Sequence, residues 1–349
     1  MLARLAYLNA GTAGPLPRRA AEAVAAWTLR TAAEGRAGKA LFEELLAMRE
    51  RLRGELARLL NAPSGSLALT TSTTDGCNIV LRGLELGPGD EVVTTDSEHP
   101  GLFGGLLASG ATMRVAEIRD RPAAEALAAL EAQIGPRTRL IAVSHVSWLT
   151  GAVLPLPELA GRGLPLLVDG AQGVGAIPVD VVELGCDFYT VSAQKWLLGP
   201  EATGALYVRP DRVEGLLMAF PSYMSWEHPD YVPRPGAARF DPGWIPAGSL
   251  AGLLESLAFA EEAGAERFAR ARAATERCRE LLAERGVEVV TEAGQGTLVS
   301  FRASEPEKLV QRLADAGVVV RDLPGTGLVR ASCGFWTSEE DLERLASGI

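Results

Sequence analysis

From Glu91 to Val208 short apolar runs alternate with stretches of helical character, a pattern that few folds accommodate. The runs at 91–95, 112–118, 138–144, 164–168, 188–191 and 204–208 read as strands, and 66–70 adds a short one before them. Helices are expected between them at 77–86, 101–109, 122–133 and 157–161. Strands that alternate with helices imply a mostly parallel, doubly wound sheet, so the fold class is α/β.

The flanks differ. Asn9, Gly11, Gly14 and Pro15 keep residues 1–16 extended, and helices are expected at 17–33 and 41–60. After Ala247 come helices at 249–263, 265–284, 306–316 and 338–346, mixed with strands at 287–290, 297–301, 318–321 and 328–331. That mixture suggests a second, smaller α/β domain. Residues 219–247 break the alternation with six prolines and with Tyr223, Trp226, Tyr231, Phe240 and Trp244. A stretch this long is either functional, often at an interface, or a packed surface excursion.

Composition excludes several classes. The 349 residues suit about two domains, and 47% hydrophobic content supplies a sizeable core. A net charge of −10 argues against a nucleic-acid or anionic-membrane binder. Neither a transmembrane run nor a secretory signal is read in the sequence. Cys77, Cys186, Cys278 and Cys333 are widely spaced, as expected of reduced thiols in a cytoplasmic protein, and the three histidines form no metal signature.

Two of the apolar runs end in chemistry. One closes on Asp169, and the next leads through Ser192 and Gln194 to Lys195. In open α/β sheets ligands bind beyond the carboxyl ends of the strands, where these two groups could meet. The chain has 34 Lys plus Arg but only three lysines, and Lys195 alone precedes an apolar segment, Trp196-Leu-Leu-Gly-Pro200. Lysine loses its proton when desolvated and forms Schiff bases; arginine does neither. The structural alternative is a lysine snorkelling from an apolar stretch. An amine paired with a carboxylate that holds a pyridine nitrogen is what a pyridoxal phosphate (PLP) enzyme requires.

Other residues are compatible with this chemistry without proving it. Hydroxyls and free N–H groups at 71–76 suit a phosphate at a helix N-terminus, or simple capping by Thr74 or Asp75. His99 and Trp148 are flat groups at strand ends, and Arg330 is a cation inside an apolar strand that could clamp a carboxylate or form an ordinary salt bridge.

Taken together, the segments 73–84, 89–101, 144–151, Val168-Asp-Gly-Ala-Gln172 and 192–200 resemble the class V aminotransferase family of fold-type I PLP enzymes over nearly the whole chain. The resemblance implies a Schiff base at Lys195, with Asp169 on the pyridinium and Gln172 on the ring hydroxyl. It places His99 on the ring face and Thr73, Thr74, Asp75, Ser192 and Gln194 around the phosphate. Arg330, Trp148 and Asn9 fall to the substrate, and no metal is implied. It further implies a large domain at 15–244, a small domain formed by 1–14 and 245–349, and a homodimer.

The sequence departs from desulfurase relatives in three places. The segment 322–327 is short and lacks the persulfide-forming cysteine; Trp148 stands where asparagine is common; and Pro242-Gly-Trp-Ile245 replaces a threonine-bearing segment. The expected activity is β-elimination from cystine or cysteine by a C–S lyase. Desulfurase, aminotransferase and epimerase activities are the alternatives within the family, and a non-catalytic binding protein is the alternative outside it.

Overall fold

The computed structural model describes residues 4–349. The chain opens with β1 (Ala6–Tyr7), α1 (Arg18–Glu34) and α2 (Lys39–Leu59). It then alternates β2 (Leu67–Thr70), α3 (Thr73–Gly83), β3 (Glu91–Thr95), α4 (Pro100–Ser109), β4 (Thr112–Ala116), α5 (Ala126–Glu131), β5 (Thr138–Ser144), α6 (Leu156–Ala160), β6 (Leu166–Asp169), β7 (Phe188–Ser192) and β8 (Gly204–Val208). These strands form one seven-stranded sheet in the order β2-β8-β7-β6-β5-β3-β4. β8 alone runs against its neighbours.

The apolar runs behave as strands covered on both faces. Val93, Ile141, Val143, Val168 and Tyr189 point into a core shared with α2, α5 and α6. Their neighbours Val92, Leu140, Ala142, Leu167 and Phe188 point into a second core beneath α3 and α4.

After β9 (Trp226–Glu227) and β10 (Val232–Pro233) come α7 (Ala247–Glu262), α8 (Glu266–Glu284), β11 (Leu298–Arg302), α9 (Pro306–Asp315), β12 (Val318–Val319), β13 (Arg321–Leu323), β14 (Leu328–Ser332) and α10 (Glu339–Ser347). Helix α7 sends Leu250, Leu253 and Leu257 into the first core. Strands β11, β14 and β13 form an antiparallel sheet. β12 pairs with β1, so the N-terminal segment is stitched to this second body.

Several sequence expectations need correction. The helix expected at 77–86 starts at Thr73, because the Ser72 hydroxyl accepts the Asp75 N–H at 3.2 Å and caps it there. The stretch 287–290 contributes only a bridge, Val289 to Phe301. The run 318–321 divides between β12 and β13, which belong to different sheets. The proline-rich stretch carries the small ribbon β9–β10. Among the described residues no helix is long and apolar enough to cross a membrane.

One buried charge cluster locks the proline-rich stretch to the large sheet. Asp241 is fully buried and accepts from Arg49 at 2.7 Å, from Arg53 at 2.9 Å and from the Leu69 amide of β2 at 2.8 Å. Removing one partner of such a cluster strands the others in a low dielectric. Asp241→Ala is expected to destabilise the protein by roughly 3–5 kcal/mol in denaturant unfolding; a loss below about 1 kcal/mol would refute the cluster's role.

Candidate active site

Asp169 is the last residue of β6 and Ser192 the last of β7, so both reach the carboxyl edge of the sheet at adjacent positions. Lys195 follows in the turn after β7 and is half-buried. Burial pushes its amine down to about 8, against the pull of the Asp169 carboxylate; Arg330 and Arg321 add to the downward push. Burial raises the Asp169 carboxyl, and Lys195 and the Ala171 N–H, at 2.9 Å from Oδ1, counter it. Carboxylate and amine thus lie near enough for each to support the other's charge.

The first turn of α3 lies beside them. Gly204 of β8 pairs with Ser192, and a Cβ on Gly204 would come within 3.1 Å of the Ser72 amide, so this close approach needs glycine. Thr73 is buried at the helix start, and Thr74 presents its side chain to the open side. A Cβ on Gly101, in the first turn of α4, would lie 2.5 Å from Thr74 Oγ1. The N-termini of α3 and α4 therefore meet around Thr74 and leave a cradle that suits an anion. Asp75 is not part of that cradle. Its carboxylate accepts from the Thr71 amide and hydroxyl, and its own N–H is spent on Ser72, so it holds the loop closed. Ser192 donates to Gln194 Oε1 at 3.2 Å, and the Gln194 carbonyl accepts the Gly14 N–H at 2.7 Å.

His99 caps α4, its Nδ1 accepting the Gly101 N–H at 3.0 Å, which leaves Nε2 to carry the proton of the neutral ring. Burial, with Lys195, Arg321 and Arg330 nearby, holds its pKa down to about 4. Trp148 meets His99 edge-on at 5.3 Å between centroids, and its indole N–H has no partner. Glu98 was not singled out from sequence. It is buried beneath His99, accepts from Thr95 Oγ1 at 2.6 Å and from Ser144 Oγ and N, and burial raises it to about 7. It ties the His99 loop to the end of β5.

The second sheet supplies the cations. Arg330 on β14 is 1% exposed and donates through Nη1 to the Trp148 carbonyl at 2.9 Å; its Nε and Nη2 have no partner among the described residues. Burial and Arg321 push its pKa down to about 9, so it stays charged at neutral pH. Arg321, also missed from sequence, stands directly opposite on β13 and donates to Thr12 Oγ1 at 3.1 Å. The signal available was another cation closing an apolar run, Val318-Val-Val. Two like charges side by side in a sheet are destabilising without an anion.

Between the two bodies runs the N-terminal segment. Asn9 bridges to Ser332, and its buried Oδ1 has no partner. The Gly11 carbonyl accepts Gln172 Nε2 at 2.9 Å, and a Cβ on Gly11 would lie 2.7 Å from Arg330 Nη2. The unsatisfied buried donors of Arg330 and the glycine-lined cradle at Thr74 fit a ligand set of an amino-acid carboxylate and a phosphate-bearing cofactor.

The profile of "Aminotransferase class-V" matches residues 6–345. The chain belongs to the aminotransferase class-V family. It is 34% identical to isopenicillin N epimerase of Streptomyces clavuligerus over 98% of this chain and 93% of that protein. A probable cysteine desulfurase of Mycolicibacterium paratuberculosis is 32% identical over 84% of this chain, which spans 47% of that longer protein. Among solved structures, the cystine C–S lyase C-DES in complex with its reaction product cysteine persulfide superposes with a TM-score of 0.93 at 30% identity, covering 99% of this chain and 97% of the lyase. A variant of the same lyase carries glycine covalently linked to its PLP cofactor. The fold is therefore fold-type I, and the protein is a PLP-dependent enzyme, similar to cysteine desulfurases, to a cystine C–S lyase and to isopenicillin N epimerase.

A depressed Lys195 makes a direct prediction. In the cofactor-free protein, acylation of Lys195 followed by mass spectrometry should show a midpoint near pH 8. Removing the charge that holds the proton, with Asp169→Asn, should move that midpoint lower. A midpoint above about 10, as for a solvated lysine, would contradict the burial argument.

Proposed function

We propose that the protein cleaves a Cβ–S bond of cystine, with cysteine as a poorer substrate, in a cytoplasmic homodimer. The observation that carries the substrate is the facing pair Arg321 and Arg330: a buried guanidinium with no carboxylate partner among the described residues and a second cation opposite suits a substrate bearing carboxylates at both ends. The absence of a relay cysteine at 322–327 favours a lyase over a desulfurase. Cys333, the cysteine next along the chain from Arg330, is fully buried, and Cys278 beside it and burial push its thiol far up, out of the nucleophilic range.

In this reading Lys195 holds PLP through Nζ, Asp169 keeps the ring nitrogen protonated, and Gln172 donates to the ring oxygen. Neutral His99 lies against the ring face. Thr74, the free N–H groups opening α3, Ser192 and Gln194 take the phosphate. When bound, PLP supplies an electron sink that acidifies the substrate Cα–H. Arg330 fixes the reacting carboxylate, Arg321 the distal one, and Trp148 and Asn9 wall the pocket. Once the substrate amine had taken its place on the cofactor, Lys195, with its lowered pKa, would have free base at neutral pH to take the Cα proton. The Cβ–S bond then breaks and the sulfur leaves as cysteine persulfide; the remaining three-carbon unit takes up water and departs as pyruvate and ammonia. The proposed units are 15–244 and 1–14 with 245–349, and α7 spans them by packing on the larger core.

Purified protein with PLP and cystine should therefore release pyruvate. Arg330→Ala should lower kcat/KM roughly 100-fold, from about 3 kcal/mol of charge-assisted bonding. Arg321→Ala should cost about tenfold with cystine and far less with cysteine. The similarity to isopenicillin N epimerase supports a second reading: Cα inversion without pyruvate release from any of a panel of amino acids would replace the lyase assignment.

The exposed aromatics of the proline-rich stretch support the dimer. Tyr223, Tyr231 and Trp244 are more than half exposed, and Trp244 stacks on Phe42 at 6.4 Å. A patch of this kind marks an interface. Light scattering should give twice the chain mass, and Tyr223→Glu with Trp244→Glu should halve it; an unchanged mass would move the interface elsewhere.

A further inference from the structure

The amide of Gln172 sits between a group that only donates and a group that only accepts. The indole N–H of Trp196 donates to Gln172 Oε1 at 2.8 Å, and Gln172 Nε2 donates to the Gly11 carbonyl at 2.9 Å. Trp196 is 1% exposed and Gln172 4%, so no water substitutes for either bond. Indole nitrogen has no acceptor capacity and a carbonyl has no proton. A flipped amide would set N–H against N–H and C=O against C=O, leaving four buried polar groups unsatisfied. The orientation of Gln172 is therefore set by its partners' chemistry.

We propose that Trp196 is a positioning residue which locks the Gln172 amide so that its remaining N–H, and never its carbonyl, faces the cofactor's ring oxygen. The proposal rests on the placement of PLP between Asp169 and Lys195. It gives a role to the residue immediately after Lys195: the turn that carries the amine also fixes the donor to the neighbouring ring oxygen. The far end of the same link is anchored in the second body, since the Gly11 N–H donates to Ser332 Oγ at 3.1 Å on the strand that carries Arg330.

A donor on the ring oxygen stabilises its anion and loosens that anion's hold on the neighbouring proton; losing the donor raises the pKa read in the visible absorption. The test is a pH titration of the visible absorption of the holoenzyme, the Trp196→Phe and Gln172→Ala variants, and the double variant. Trp196→Phe and Gln172→Ala should each raise the midpoint by about half a pH unit or more. The double variant should match Gln172→Ala alone, because Trp196 acts only through Gln172. A wild-type midpoint in Trp196→Phe, or additive shifts in the double variant, overturns the proposal. If Trp196→Phe does not fold, the Trp196 indole ¹⁵N–H resonance decides: it should move when PLP is added to the wild-type apoprotein and stay put in Gln172→Ala, and the absence of a wild-type shift overturns the proposal. No visible band in the wild type would overturn the PLP placement as well, whereas a band with additive shifts overturns the Trp196 role alone.

Discussion

A carboxylate and an amine, the first buried and the second half-buried at the carboxyl edge of one sheet, are the constraint around which the molecule is arranged. Neither Asp169 nor Lys195 is comfortable charged in that place: burial raises the first and lowers the second. Each supplies the charge that offsets the other's desolvation. The compromise leaves Lys195 near neutrality, where one residue can serve as an anchor and as a base. It requires parallel strands, because only neighbouring parallel strands end side by side with their last side chains over one cavity.

The rest of the site is brought to that pair by backbone approach. Gly204 lets the loop before α3 come close to β7, Gly101 opens the cradle at Thr74, and Gly11 lets the N-terminal segment slide beneath Arg330. That segment is also a link between the bodies. It pairs with β12, bridges β14, and bonds Gln172 and Gln194 of the large sheet.

Much of this was legible beforehand because the signals were local. Apolar runs of strand length predicted the large sheet, and the two that lead to Asp169 and Lys195 lie side by side in it as β6 and β7. The misreadings came where tertiary contacts overrode local pattern. Val287–Val290 has the composition of a strand but finds only one bridge to β11. Val318–Arg321 reads as one strand, yet β1 and β14 take different halves of it. Arg321 and Glu98 were passed over because charge alone does not distinguish a buried functional group from a surface one.

By itself, then, the sequence determined the fold class through its strand and helix periodicity and the cofactor through motifs that resemble a known family, and it pointed to Lys195 as the lysine to test. Only the tertiary structure decided which groups are desolvated and unpaired. Arg330 keeps Nε and Nη2 unpaired among the described residues because its neighbours offer it the Trp148 carbonyl but no carboxylate. Gln172 faces one way because Trp196 and Gly11, 24 residues later and 161 earlier, admit no other. Such facts arise from contacts between residues far apart in the chain, and no local pattern encodes them.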